Sequence, residues 1–147
     1  MRPGTIIAVR SAAEVVDAAY ELLSFEPGQE PDWPGFRQCF HSRAILALRV
    51  FPGDADISVL NLAEYARAQL REGLKEAGYT ETPQAREVEI TGSVATIRQH
   101  FTMNFAGRPP VPAIDIFALI QLADRWQIIS VVSDMTAPAG RQPLVLA

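Results

Sequence analysis

The sequence predicts an α+β domain on three observations: capped amphipathic helices in the first half, a glycine-first hairpin near residue 92, and two long apolar strands within residues 114–135. The last of these, IDIFALIQLADRWQIISVVSDM, is the most informative. Apolar side chains occupy both alternation phases of each strand, Phe117 and Leu119 beside Ile116 and Ile120, then Ile129 and Val131 beside Ile128 and Val132. That is the pattern of strands covered on both faces. The 147 residues, 48% apolar and 20% charged, suit one folded domain. A chain of this size buries roughly 70% of the surface its unfolded form exposes.

Taken in order, Ser11 caps a first helix. Glu14 stands three residues on, and Val15, Val16, Ala19, Tyr20, Leu22 and Leu23 recur at helical spacing until Pro27-Gly28. A short second helix starts at Asp32, with Pro34 in its first turn and Trp33, Phe36 and Phe40 facing inward. Residues 43–51 alternate, Ala44, Leu46, Leu48 and Val50 on one face against Arg43, Ala47 and Arg49 on the other, as in a half-buried strand. Asn61 and Glu64 repeat the capping pattern ahead of a third helix that Gly78 closes, with Tyr65, Gln69 and Leu74 on its inner face.

Residues 86–91 and 94–105 flank Gly92-Ser93, a two-residue turn matched to strand twist. Setting Thr91 opposite Val94 places Ile90 against Ala95 and Val88 against Ile97 on one face, and Glu87 against Arg98 on the other. The second arm is about twice the usual strand length and must twist and bend. The run Arg108-Pro109-Pro110-Val111-Pro112 is an extended connection to the two terminal strands. The organisation is an N-terminal extension at 1–10, a domain at 11–134 and a tail at 135–147 with no clear period, either disordered or docking its Leu144-Val145-Leu146 on a neighbour.

The net charge of -4 and the dispersal of the thirteen Lys and Arg residues argue against a nucleic-acid or anionic-membrane partner. The single Cys39 excludes an intrachain disulfide and a multi-thiolate metal site, and fits a cytoplasmic setting. No apolar run reaches the length of a membrane span. No glycine-rich phosphate cradle, Gly-x-Ser-x-Gly elbow or Cys/His cluster is present, so neither a metal nor a cofactor is implied.

Three segments carry a family resemblance. Asp124-Arg125-Trp126-Gln127-Ile128-Ile129-Ser130-Val131 resembles the "grWkIvs" ending of the nuclear transport factor 2-like superfamily. Gly92-Ser93-Val94-Ala95-Thr96-Ile97-Arg98 resembles its "GdvAtvr" hairpin, and residues 36–44 are similar to its "l..lFhpdA" segment. The likeness spans residues 11–134. It implies a cystatin-like cone, a curved antiparallel sheet wrapped around three helices with a pocket at the open end, and often a homodimer across the sheet. The superfamily hosts isomerases, cyclases, dehydratases, transport factors and ligand-binding domains, so the site must decide.

In the isomerase branch one carboxylate moves a proton and a second, kept neutral by an apolar site, donates to the enolate oxygen. Counting along the resembling segments puts the neutral acid at Ala118 and the base at Leu48, and residues 43–51 contain no acid. That argues against the isomerase pair and leans away from catalysis. The remaining catalytic candidates are His41, near neutrality by type, and Asp134, read on one face with Trp126, Ile128, Ser130 and Val132. The alternative for His41 is to finish the second helix on a backbone carbonyl. Asp115, beside the proline run, is read as a turn residue, and His100 falls on the outer sheet face.

Gln99 is the polar member of the row Ala95, Ile97, Gln99, Phe101, Met103, and needs a partner or a ligand there. Tyr20, Trp33 and Tyr65 pair apolar surface with a polar handle on inward helix faces. With Phe101 and Trp126 these form the ligand-binding candidates. The sequence-level reading is a homodimeric domain binding a small hydrophobic molecule. The alternatives are a cofactor-independent cyclase, isomerase or dehydratase and a protein-interaction module.

Overall fold

The computed structural model describes residues 10–70 and 73–136. The extension at 1–9 and the tail from 137, including the expected docking of Leu144-Val145-Leu146, lie outside the described residues. Helices α1 (Ala12–Leu23), α2 (Trp33–Gln38), α3 (Leu62–Gln69) and α4 (Leu74–Ala77) precede or interleave strands β1 (Phe40–Leu48), β2 (Ser58–Leu60), β3 (Tyr79–Thr91), β4 (Val94–Phe105), β5 (Val111–Leu122) and β6 (Arg125–Met135). The six strands form one sheet in the order β2-β1-β6-β5-β4-β3. All neighbours are antiparallel except β1 and β6, so the sheet is mixed where an antiparallel one was expected.

Local chemistry explains the helices. Ser11 and Asn61 each accept from the amide three residues on while Glu14 and Glu64 reach back, two complete capping boxes. Helix α1 buries Val15, Val16, Ala19, Tyr20 and Leu23. It stops four residues short of Pro27, because the Ser24 hydroxyl donates back to the Tyr20 carbonyl and Phe25 leaves to bridge Tyr79. The expected third helix is two pieces, α3 and α4, the second opening at Gly73 with φ 89° and closing at Gly78 with φ 77°.

The β3–β4 register is the one the hairpin predicts, Thr91↔Val94 through Glu87↔Arg98. The β5–β6 turn is tighter than its sequence invites, because Ala123 and Asp124 both take positive φ, 50° and 63°. Three irregularities bend the sheet: between Pro83 and Arg86 in β3, at Ile129 in β6, and between Phe40 and Ile45 in β1. Strand β1 begins three residues earlier than predicted and ends at Leu48, so Arg49 and Val50 escape its alternation. Helix α1 packs on β3 and β6, and α2 and α3 pack on β1, giving a core of Val16, Ile97, Leu119 and Ile128 on the concave face.

Candidate functional site

The concave face and helices enclose a cavity of about 50 Å³. Its wall is apolar, built by Leu23, Phe36, Phe40, Leu46, Phe101, Met103, Phe117 and Val131, with Tyr20, Tyr65, Glu81, Asp115, Ser133, Arg49 and Asp134 as polar members. A second hollow of about 420 Å³ shares Pro52 with it and is lined by Phe51, Leu74, Phe105, Arg108 and Val111, without a carboxylate. Titratable chemistry therefore belongs to the first.

Asp115 sits in the middle of β5 and not in a turn. It alternates with Ala113, Phe117 and Leu119, all buried, so its side chain enters the core at 7% exposure. The Tyr20 hydroxyl donates to its Oδ2 at 2.6 Å, and the Ser133 hydroxyl, on the strand residue directly opposite, bonds to it as well. Burial pushes its carboxyl up to about 6, against the lowering effect of those two hydroxyls. Glu81, near the start of β3, also lines the cavity. The Tyr79 hydroxyl donates to its carboxylate, and its own N–H donates to Ser24 Oγ at 3.1 Å. Burial, then the charge of Asp115, push Glu81 up to about 8, with Tyr79 pulling the other way.

The result is a coupled pair split by environment. Both carboxyls are held above the usual carboxylate range, Glu81 higher than Asp115 because the Asp115 charge adds to its burial. Burial and the neighbouring carboxylates push the phenols of Tyr20, Tyr65 and Tyr79 upward, so all three remain protonated donors. Tyr65 is held in an aromatic wall, stacked on Phe36 at 6.0 Å and edge-on to Trp33 at 6.3 Å.

Of the residues singled out by sequence, Tyr20, Tyr65, Phe101 and Asp134 line this cavity. His41, Trp33, Gln99 and Trp126 do not. His41 stands on β1, where its Nδ1 accepts the Arg43 N–H at 3.0 Å, so it neither ends a helix nor reaches the cavity. Trp126 is core, and Trp33 backs the aromatic wall from outside. Gln99 is fully buried and serves the β3 bulge: its Nε2 donates to the carbonyls of Gln84 and Ala85 at 2.9 and 3.2 Å and to that of His100 at 2.9 Å. Asp134 is out of phase with Trp126, because the extra residue Ile129 shifts the strand; Ser133 is the inward residue, and Asp134 lies 3.8 Å from Arg49 Nε.

The sequence reading missed Glu81, Asp115, Ser133 and Arg49. Alternation back from Phe117 by two was a usable signal for Asp115. For Glu81 no such signal existed, since the bulge at Gln84-Ala85 interrupts the phase running back from Arg86. Among the described residues, no group of three or more His, Cys, Asp or Glu is placed to hold a metal, and no helix is long and apolar enough to cross a membrane.

No protein-family model and no curated sequence matches the chain. Solved structures do. A nuclear transport factor 2-like protein of unknown function from Methylobacillus flagellatus aligns at 20% identity over 86% of this chain and 90% of its own, TM-score 0.58. A "putative ketosteroid isomerase" from Shewanella frigidimarina aligns at 24% over 88% and 100%, TM-score 0.62. A "putative scytalone dehydratase" from Novosphingobium aromaticivorans aligns at 10% over 89% and 92%, TM-score 0.65. At these identities the likeness establishes the fold: the chain has the nuclear transport factor 2-like fold.

Proposed function

We propose that this chain, on its nuclear transport factor 2-like fold, is a cofactor-independent acid–base enzyme that takes a small, largely apolar carbonyl compound into the cavity and moves a proton on it. The observation that carries this reading is the carboxyl pair Asp115 and Glu81, which line one apolar cavity where burial pushes both upward, Glu81 further because of the Asp115 charge. Two titratable groups whose environments push them apart supply a base and an acid at the same pH. Asp115, oriented by Tyr20 and Ser133, takes a proton from the carbon beside the carbonyl. Glu81 donates to the carbonyl oxygen as negative charge develops there. Isomerisation, aldol-type cyclisation and elimination of water all begin with that step, so one pair serves the whole reaction class, and the names of two of the structural neighbours fall within it.

The cavity is smaller than the ~300 Å³ at the low end of small-molecule sites. A substrate enters as the flexible Met103 and Met135 side chains of its wall give way. The test is proton exchange: small cyclic ketones in deuterated buffer, followed by NMR, with wild type, Asp115→Asn and Glu81→Gln. Exchange above the buffer rate, falling by about a hundredfold or more in Asp115→Asn, is the expected result for a general base. Wild type that exchanges no faster than buffer across the series refutes the reading.

We further propose that a second copy of the chain covers the outer sheet face. Ala47, Val132 and Ile116 form one cross-strand row there, next to the row of Ile45, and Ile45, Val132 and Ile116 are 49%, 51% and 43% exposed. Such a contiguous aliphatic face on central strands is the kind of surface that marks an interface. Light scattering tests it: a dimer mass that Val132→Lys reduces to the monomer supports the proposal, and a monomeric wild type at micromolar concentration refutes it.

A further inference from the structure

Arg49 follows the last residue of β1 and lines the same cavity as the carboxyl pair. Its side chain is 16% exposed, and its Nη1 is buried without a hydrogen-bond partner. Its nearest acid, Asp134, does little to satisfy it. The Nε to Oδ1 distance is 3.8 Å, well beyond the ~2.8 Å of a charge-assisted hydrogen bond. Asp134 is also 38% exposed on its side chain, and that same Oδ1 accepts the Met135 N–H at 2.8 Å. A guanidinium cannot give up its proton to escape burial, so its buried Nη1 has no acceptor among the described residues.

We infer that Arg49 is a carboxylate subsite, and that the molecule this cavity takes is a small apolar acid whose carboxylate lies on the Arg49 fork and whose apolar body lies against Phe101 and Phe117. Charge and shape both favour a monoanion. A planar carboxylate matches the guanidinium fork in two parallel bonds. Asp115 and Asp134 already contribute negative charge around the cavity, which disfavours a dianion such as a phosphate. The inference rests on the cavity reading above and names its ligand class, but it does not depend on proton transfer occurring there.

Calorimetric titration with phenylacetate and with its neutral, nearly isosteric amide, phenylacetamide, tests it on wild type, Arg49→Gln and Arg49→Lys at neutral pH. Wild type should bind the carboxylate at least about tenfold more tightly than the amide, the size expected of a charge-assisted pair. Arg49→Gln should erase that preference, and Arg49→Lys, which keeps the charge without the fork, should keep part of it. Equal binding of the two probes by wild type, no binding of either, or a preference that survives in Arg49→Gln overturns the inference. Because the readout is binding, a carboxylate preference without ketone exchange refutes the acid–base reading alone. Exchange without a preference refutes the subsite alone.

Discussion

Glu81→Gln tests the split protonation through stability. In the unfolded chain this carboxyl titrates near its ordinary 4.5; in the cavity, burial and the Asp115 charge move it up to about 8. The folded state therefore binds the proton more tightly than the unfolded state. Below about pH 4.5 both states are protonated and nothing is lost. Between 4.5 and 8 the unfolded chain ionises while the folded one does not, so stability falls as pH rises, and above 8 the loss levels off. At 1.36 kcal/mol per pH unit the full loss is on the order of 5 kcal/mol, comparable with the whole stability of a small domain. Glutamine cannot ionise and can still accept from Tyr79. Urea unfolding followed by the fluorescence of Trp33 and Trp126, at intervals from pH 5 to 9, should show the variant gaining on wild type by several kcal/mol, with most of the gain below pH 8. The Asp115 contribution, in the window between 3.8 and about 6, falls in the same direction in both proteins and largely cancels in the comparison. Parallel profiles for the two proteins would refute the claim that Glu81 is held protonated.

Tyr20→Phe removes a buried donor to Asp115 and should cost about 1.5–3 kcal/mol at pH 8, where Asp115 is charged, and less at pH 5. Urea unfolding at the two pH values checks this, and an equal cost at both counts against Asp115 being the charged partner. Gln99→Leu leaves the Gln84 and Ala85 carbonyls without their shared donor and should destabilise by about 1–3 kcal/mol, with amide exchange speeding up around residues 83–86. Ala123→Gly relieves a left-handed alanine and should raise stability by about 1 kcal/mol, measured by the same urea transition.

Local rules made much of the fold readable. The two capping boxes and the Gly92-Ser93 register depend on residues a few positions apart or directly opposite, and these are as expected; the terminal strands, expected to be covered on both faces, are covered on one, with Ile116 and Val132 exposed on the other. What escaped the sequence depends on interruptions of period. Ile129 adds one residue to β6 and exchanges the roles of Ser133 and Asp134; the Gln84-Ala85 bulge hides Glu81; the early end of β1 turns Arg49 inward. Each places on the inner face a polar residue that alternation had not put there. The carboxyl pair was sought on the first strand, at Leu48, and at Ala118 in the fifth. It comes instead from β3 and from three residues earlier in β5, positions that only the bent sheet brings to one cavity.

The most direct measurement is a carbon-13 NMR titration of the side-chain carboxyl carbons of Glu81 and Asp115, assigned through Glu81→Gln and Asp115→Asn. Both should titrate above their ordinary values, Asp115 near 6 and Glu81 near 8, with Glu81 moving down when Asp115 is neutralised and Asp115 staying in place when Glu81 is. If both carboxyls instead titrate together near 4, the cavity holds two ordinary carboxylates and the acid–base assignment falls.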